Sequence, residues 1–174
     1  MSLKISLDCD DTIVAFYSHF ISKFGVPKKD SDITKRVLNE LKKDKEFWFT
    51  QPVINEVKFQ VHNYCTSRVI PKEWIKKQLF EINNFPKAPV YQVMGFGLSK
   101  YPKLRMAGAD VHIDDSIHVF KDLNSRGMPC LLLDAPHNQD WGPIGRIYSL
   151  DKEEIEETYN LFKNTVFNYF KELI

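Results

Sequence analysis

Asp8-Cys9-Asp10-Asp11-Thr12 puts three carboxylates into four positions directly after the apolar stretch that ends at Leu7. Carboxylates crowded at the edge of a core repel one another and lose hydration, so packing alone does not account for them. A divalent cation relieves both penalties. Mg²⁺ suits such a site because it takes oxygen ligands, commonly one or two carboxylates together with water and phosphate oxygens. A second pair, Asp114-Asp115, follows the short apolar run Val111 to Ile113. A lone Asp-Asp pair usually caps a helix or sits in a solvated turn. Two acidic groups, each at the end of an apolar strand, point instead to metal-assisted chemistry with Asp8, Asp10, Asp114 and Asp115 as candidate ligands. Thr66 and Ser67 follow a further apolar run and are polar residues of the same kind of position.

These residues need a scaffold that brings distant segments together. Leu3 to Leu7, Val61 to Cys65, Pro89 to Met94, Val111 to Ile113 and Pro129 to Leu133 read as short apolar strands, with Ile147 to Leu150 a possible sixth. Helical spacing covers Thr12 to Phe24, with Ile13, Phe16, Phe20 and Phe24 on one side and Gly25 and Pro27 as a stop. Pro27 to Glu46 is densely charged and reads as a solvated helix with flanking loops, followed by the aromatic cluster Phe47-Trp48-Phe49. Helices are also expected over Pro71 to Asn83, Ser116 to Ser125 and Asp151 to Leu173, while the stretch holding Gly95, Gly97 and Pro102 reads as a loop. The alternation predicts an α/β fold with a Rossmann-like parallel sheet. Such sheets bind ligands beyond the carboxyl ends of their strands, and the polar residues above all fall there.

At 174 residues the chain suits a single domain over 1-174. With 24 basic against 23 acidic residues it has no strong overall field, which argues against a nucleic-acid polymer as partner. The longest apolar runs are too short to cross a bilayer, so no membrane partner is expected. Three scattered cysteines without C-x-x-C spacing suggest neither zinc nor redox work and fit a reducing, cytoplasmic setting.

An apolar strand ending in D-x-D-x-T, a Thr after a second strand, a lysine and then an Asp-Asp pair resemble, in this order, the motifs of the haloacid dehalogenase superfamily of phosphatases. The resemblance spans residues 3 to about 134. It implies a Mg²⁺-dependent phosphomonoester hydrolase in which Asp8 is the nucleophile and forms an aspartyl-phosphate. Asp10 would be general acid and then base, and Thr66 would grip phosphate. Lys100 or Lys103 would supply charge beside Asp8. The Asp8 side chain, the Asp10 carbonyl and a carboxylate of Asp114 or Asp115 would hold the metal.

About 48 residues separate Thr12 from the second strand, room for a small helical cap inserted at roughly 14-60. Phe16 after D-x-D-x-T, the run Cys65 to Arg68 and the segment His137 to Trp141 look like the 5′(3′)-deoxyribonucleotidases and their phage-type relatives, although Asp11 stands where that group commonly has glycine. The implied substrate is a nucleoside monophosphate, with Phe16, Thr12, Ser67, Arg68 and Trp48 as candidate substrate-binding residues. Phe16 equally fits a core position, the Phe47 to Phe49 cluster could pack cap against core, and Arg68 could cap a helix. His112 and His118 are expected behind the acidic pair or on the surface, and His137 in a loop. Alternatives are another small phosphomonoester such as a sugar phosphate, or a non-catalytic phosphate-binding module. A phospho-accepting receiver would place its acidic pair nearest the N-terminus, the reverse of the order here. The aromatic face of the last helix, Tyr159, Phe162, Val166, Phe167 and Phe170, reads as packing on the sheet, and oligomeric state is left open.

Overall fold

The computed structural model describes residues 2–95 and 97–165. Among them six strands form one parallel sheet: β1 (Ile5–Leu7), β2 (Asn63–Thr66), β3 (Val90–Gln92), β4 (Val111–Asp114), β5 (Cys130–Leu133) and β6 (Arg146–Ile147). Their order is β3-β2-β1-β4-β5-β6, the doubly wound arrangement of Rossmann-like folds. Leu7 pairs with Tyr64 on one side and Ile113 on the other, and Ile113 pairs in turn with Leu131. All four are fully buried, which is why these strands carry apolar runs rather than alternation.

One register is polar. Ser6 lies opposite both Asn63 and His112, so a buried row of hydrogen-bonding side chains crosses the middle of the sheet. Strands read as apolar throughout are therefore interrupted at one level, directly beneath the strand ends.

Among the described residues seven α-helices accompany the sheet: α1 (Tyr17–Phe24), α2 (Asp30–Asn39), α3 (Lys45–Phe49), α4 (Lys72–Lys76), α5 (Tyr101–Ala107), α6 (Ile117–Ser125) and α7 (Lys152–Thr165). The helix expected from Thr12 begins only at Tyr17. Residues 10–14 instead fold back: the Ile13 and Val14 amides both donate to the Cys9 carbonyl, and Asp11 adopts φ +54°. The Asp11 carboxylate then accepts from the Phe16 amide at 2.9 Å and the Tyr17 amide at 3.0 Å, so it caps α1 in place of a residue nearer the start. The charged stretch expected as one solvated helix divides into α2, a short 3₁₀ turn (Leu41–Lys43) and α3. Asp44 caps α3 by accepting from the Phe47 amide, and this sets Phe47 and Trp48 inward, both fully buried.

Beyond α3 the chain returns beside its own departure point. Ala15 donates to the Pro52 carbonyl at 2.8 Å, Ile54 donates to the Ile13 carbonyl at 3.0 Å, and the Asn55 amide group donates to the Thr12 carbonyl at 2.8 Å. The helical segment 16–51 thus leaves and rejoins the sheet domain through paired backbone.

Two further elements differ from expectation. After α4 the helix widens into a π-helical stretch (Lys77–Ile82). The loop expected around Pro102 contains α5, because proline is tolerated in a first helical turn; left-handed Gly108 ends it. In α7, Phe162 is buried against Phe120 at 6.0 Å between ring centres, while Val166, Phe167 and Phe170 lie outside the described residues. Among the described residues no helix is long and apolar enough to cross a membrane.

Ile113→Ala removes a fully buried side chain at the centre of the sheet and should cost about 3 kcal/mol. Urea unfolding midpoints check this, and a loss below about 1 kcal/mol would mean that β4 is not central.

Candidate active site

The chain order of the strands reverses between β1 and β4, and open α/β sheets form their ligand crevice at such a switch point. The Asp8 amide donates to the Ile113 carbonyl at 3.0 Å, which fixes the residue after β1 beside the end of β4. Asp8, Asp114 and Asp115 each offer a carboxylate oxygen, and these three atoms lie within 4.8 Å of one another in a buried setting. The Lys100 ammonium sits between two of them, 2.6 Å from Asp8 Oδ1 and 2.7 Å from Asp114 Oδ2. Lys100 immediately precedes α5 and is itself buried; Lys103, one turn along, is exposed. Of the two lysines considered, Lys100 joins the carboxylates.

Burial pushes the Asp8 carboxyl well above the usual carboxylate range, opposed by Lys100 and reinforced by the neighbouring aspartates. For Asp114 burial acts in the same direction but is outweighed by Lys100 and by a hydrogen bond from His112, so it stays well below that range. Burial alone would discharge Lys100; Asp114 and Asp8 overcome it and keep the side chain an ammonium.

Each member of the acidic pair is held separately. Asp114 Oδ1 accepts from the Ser116 amide at 3.0 Å, and Oδ2 lies 3.1 Å from His112 Nε2. His112 Nδ1 lies 3.0 Å from Ser6 Oγ, which accepts from the Asn63 amide group at 2.8 Å. Burial holds His112 neutral, so the chain runs in one direction: Asn63 donates to Ser6, Ser6 to Nδ1, and Nε2–H to Asp114. Asp115 Oδ1 accepts from the Thr12 hydroxyl at 2.9 Å, and Oδ2 lies 2.8 Å from His137 Nε2. Burial raises the Asp115 carboxyl and His137 offsets this, while the hydrogen bond to Asp115 raises His137. Thr12, expected at substrate, is fully buried and serves Asp115 instead.

A cavity of about 600 Å³ opens over these strand ends, lined on one side by Asp8, Asp10, Thr66 and Ser67 and on another by Phe16 and Trp48. Asp11, whose carboxyl burial pushes up to about 6, also borders it, as does exposed His118. The Phe16 and Trp48 rings stack at 5.8 Å and 25°, and the Trp48 indole N–H donates to the Leu41 carbonyl at 2.7 Å. Trp48 is 1% exposed, so Phe16 is the more open aromatic surface of the two.

Arg68 has its guanidinium engaged within the protein. It donates from Nε to Asp10 Oδ2 at 2.9 Å and from Nη2 to Asp10 Oδ1 at 2.7 Å. Nη2 also reaches Gln51 Oε1 at 2.9 Å, and Nη1 donates to Gln78 Oε1. Arg68, expected at a phosphate or as a helix cap, lines the cavity with its guanidinium engaged by these internal partners. The Asp10 carboxylate, held by Arg68, stands outside the cluster of Asp8, Asp114 and Asp115.

Gln51, Gln78, Ser6 and Asn63 carry no separate signal in the sequence, being ordinary residues placed by register and by the π-helical turn. His137 followed a strand end, and only the fold supplies its partner Asp115. Compared with known proteins, the chain matches no family model, no curated protein and no solved structure.

Three carboxylates against one ammonium leave the cluster with two negative charges when His137 is neutral, and with one when it is protonated. That surplus on hard oxygen donors fits a divalent cation such as Mg²⁺. Magnesium at about a hundred times its dissociation constant should stabilise the fold by about 2.7 kcal/mol. Thermal unfolding reads the gain; Asp114→Asn should remove most of it, and an unchanged gain would exclude this cluster. In the metal-free protein Lys100→Met leaves Asp8 and Asp114 without their counter-charge and should cost roughly 3–5 kcal/mol in urea unfolding at neutral pH.

Proposed function

We propose that the chain is a Mg²⁺-dependent phosphomonoester hydrolase of haloacid dehalogenase type, working through an aspartyl-phosphate and acting on nucleoside monophosphates as a 5′-nucleotidase. One observation carries it: Asp8 faces a cavity with Lys100 on its Oδ1 and Asp114 and Asp115 alongside, and among the described residues no protein donor engages Oδ2. A carboxylate with one oxygen fixed and the other open is poised as a nucleophile.

Asp8 Oδ2 attacks phosphorus as the bond to the leaving oxygen breaks, and Asp10 delivers a proton to that oxygen. The now ionised Asp10 takes a proton from water, which attacks phosphorus and displaces Asp8 as inorganic phosphate leaves. Lys100 holds Asp8 in place and balances charge near the transferring group, and the Thr66 hydroxyl with nearby amides contacts phosphate oxygens. Asp8, Asp114, Asp115 and the Asp10 carbonyl would hold Mg²⁺, which when bound offsets the repulsion between nucleophile and phosphate.

Segment 16–51 acts as the helical cap in this scheme, excluding water and offering Phe16 to a base. The stacked rings of Phe16 and Trp48 at the cavity wall support an aromatic leaving group over a sugar phosphate. Three buried thiols without disulfide partners fit the reducing, cytoplasmic setting.

A phosphate-release screen over nucleoside monophosphates and sugar phosphates with magnesium tests the assignment. Asp8→Asn should lower turnover by more than about a hundredfold without loss of fold. Retention of activity above that level removes Asp8 as nucleophile. Phe16→Ala should raise KM for a nucleotide far more than for p-nitrophenyl phosphate; equal changes on both would leave Phe16 without a role in stacking.

A further inference from the structure

We infer that Arg68 is the positioning residue for Asp10, reserving that carboxylate for proton transfer and keeping it out of the metal cluster; this rests on the hydrolase assignment above. Besides Asp11, which caps α1, four carboxylates follow the ends of β1 and β4 and border one cavity, at Asp8, Asp10, Asp114 and Asp115. Lys100 engages two of them and Thr12 with His137 a third. Asp10 is bound by an entirely separate cation. Arg68 grips it through two parallel N–H donors, the geometry that fixes the carboxylate plane as well as its charge.

The two side chains differ in exposure, and that difference carries the assignment. Both residues line the cavity, but the Arg68 side chain has no accessible surface whereas the Asp10 side chain remains 26% exposed, so of the pair it is the carboxylate that is open to a ligand. Two further guanidinium donors go to Gln51 and Gln78, and its face lies 5.0 Å from the Trp48 ring. Gln78 also donates to the Trp48 carbonyl and, at 2.9 Å, to Gln51 Oε1. A buried guanidinium is tolerated only when its donors are matched in this way. The matching ties Asp10 to the rejoining end of segment 16–51 and to the π-helical turn after α4, and π-helical turns frequently accompany functional sites. Without Arg68, the Asp10 carboxylate would be free to turn toward the cation that the neighbouring anionic cluster would hold.

Two esters of nearly identical shape separate positioning from general structural support. p-Nitrophenyl phosphate releases a stabilised phenolate that needs little protonation, whereas phenyl phosphate releases a more basic one. With magnesium, Arg68→Lys should lower kcat for phenyl phosphate at least about tenfold more than for p-nitrophenyl phosphate, since a positioned acid contributes roughly 10²–10⁴-fold. Gln78→Met keeps the guanidinium and removes one of its anchors; it should show the same bias at smaller size. Equal losses on both esters in Arg68→Lys overturn the positioning role. Should Arg68→Lys fail to fold, Gln78→Met decides alone, and an equal or absent loss overturns the role. A wild-type chain that turns over neither ester overturns the hydrolase assignment itself, and this one with it.

Discussion

Two unit charges of like sign at 4.8 Å repel by about 3–4 kcal/mol at an effective dielectric of 20, and the cluster of Asp8, Asp114 and Asp115 gathers three within that separation. The fold holds them together by threading one ammonium between Asp8 and Asp114. Lys100 reaches that place because α5 begins just past it, with Pro102 in the first turn, and because β4, not a later strand, neighbours β1. Remove that lysine and the strand ends lose the counter-charge that makes their approach tolerable. The sheet order, the loop after β3 and the acidic motifs are therefore one constraint expressed in three parts of the chain.

Below the cluster, the buried polar row of Asn63, Ser6 and His112 gives that constraint a direction. Asn63 donates to Ser6 and Ser6 donates to His112 Nδ1, so His112 is left with its Nε2 proton for Asp114. A hydrogen bond from a neutral imidazole adds support to the carboxylate without cancelling its charge, and the cluster keeps the surplus that a divalent cation would neutralise.

Much of the scaffold was legible because it depends on residue type and order. Short apolar segments alternating with helical ones fix a parallel sheet, and acidic residues just past β1 and β4 must then meet at the switch point. Boundaries were less legible. The start of α1 at Tyr17 depends on the left-handed turn at Asp11, a conformation its side chain stabilises only once the core surrounds it. The α5 helix was obscured by Pro102, whose position in a first turn is harmless. At the site, Lys100 and Lys103 differ in sequence only by spacing, and burial separates them. Arg68 carried the least local information: its partners Gln51 and Gln78 lie 17 and 10 residues away, and only the π-helical widening brings Gln78 round to it.

The backbone pairing of Ala15 with Pro52 and of Ile13 with Ile54 closes a neck at the base of the helices above the cavity. Because both strands of that neck are anchored to the sheet domain, the length and composition of what lies above it can change without moving the strand ends below. The aromatic wall of the cavity and the carboxylates at its floor are then separable: one can be replaced wholesale, as a graft, while the other is retained. The exceptions are Trp48 and Gln51, which lie near the neck yet touch Arg68, so a graft that leaves Arg68 and Asp10 in place must end before them.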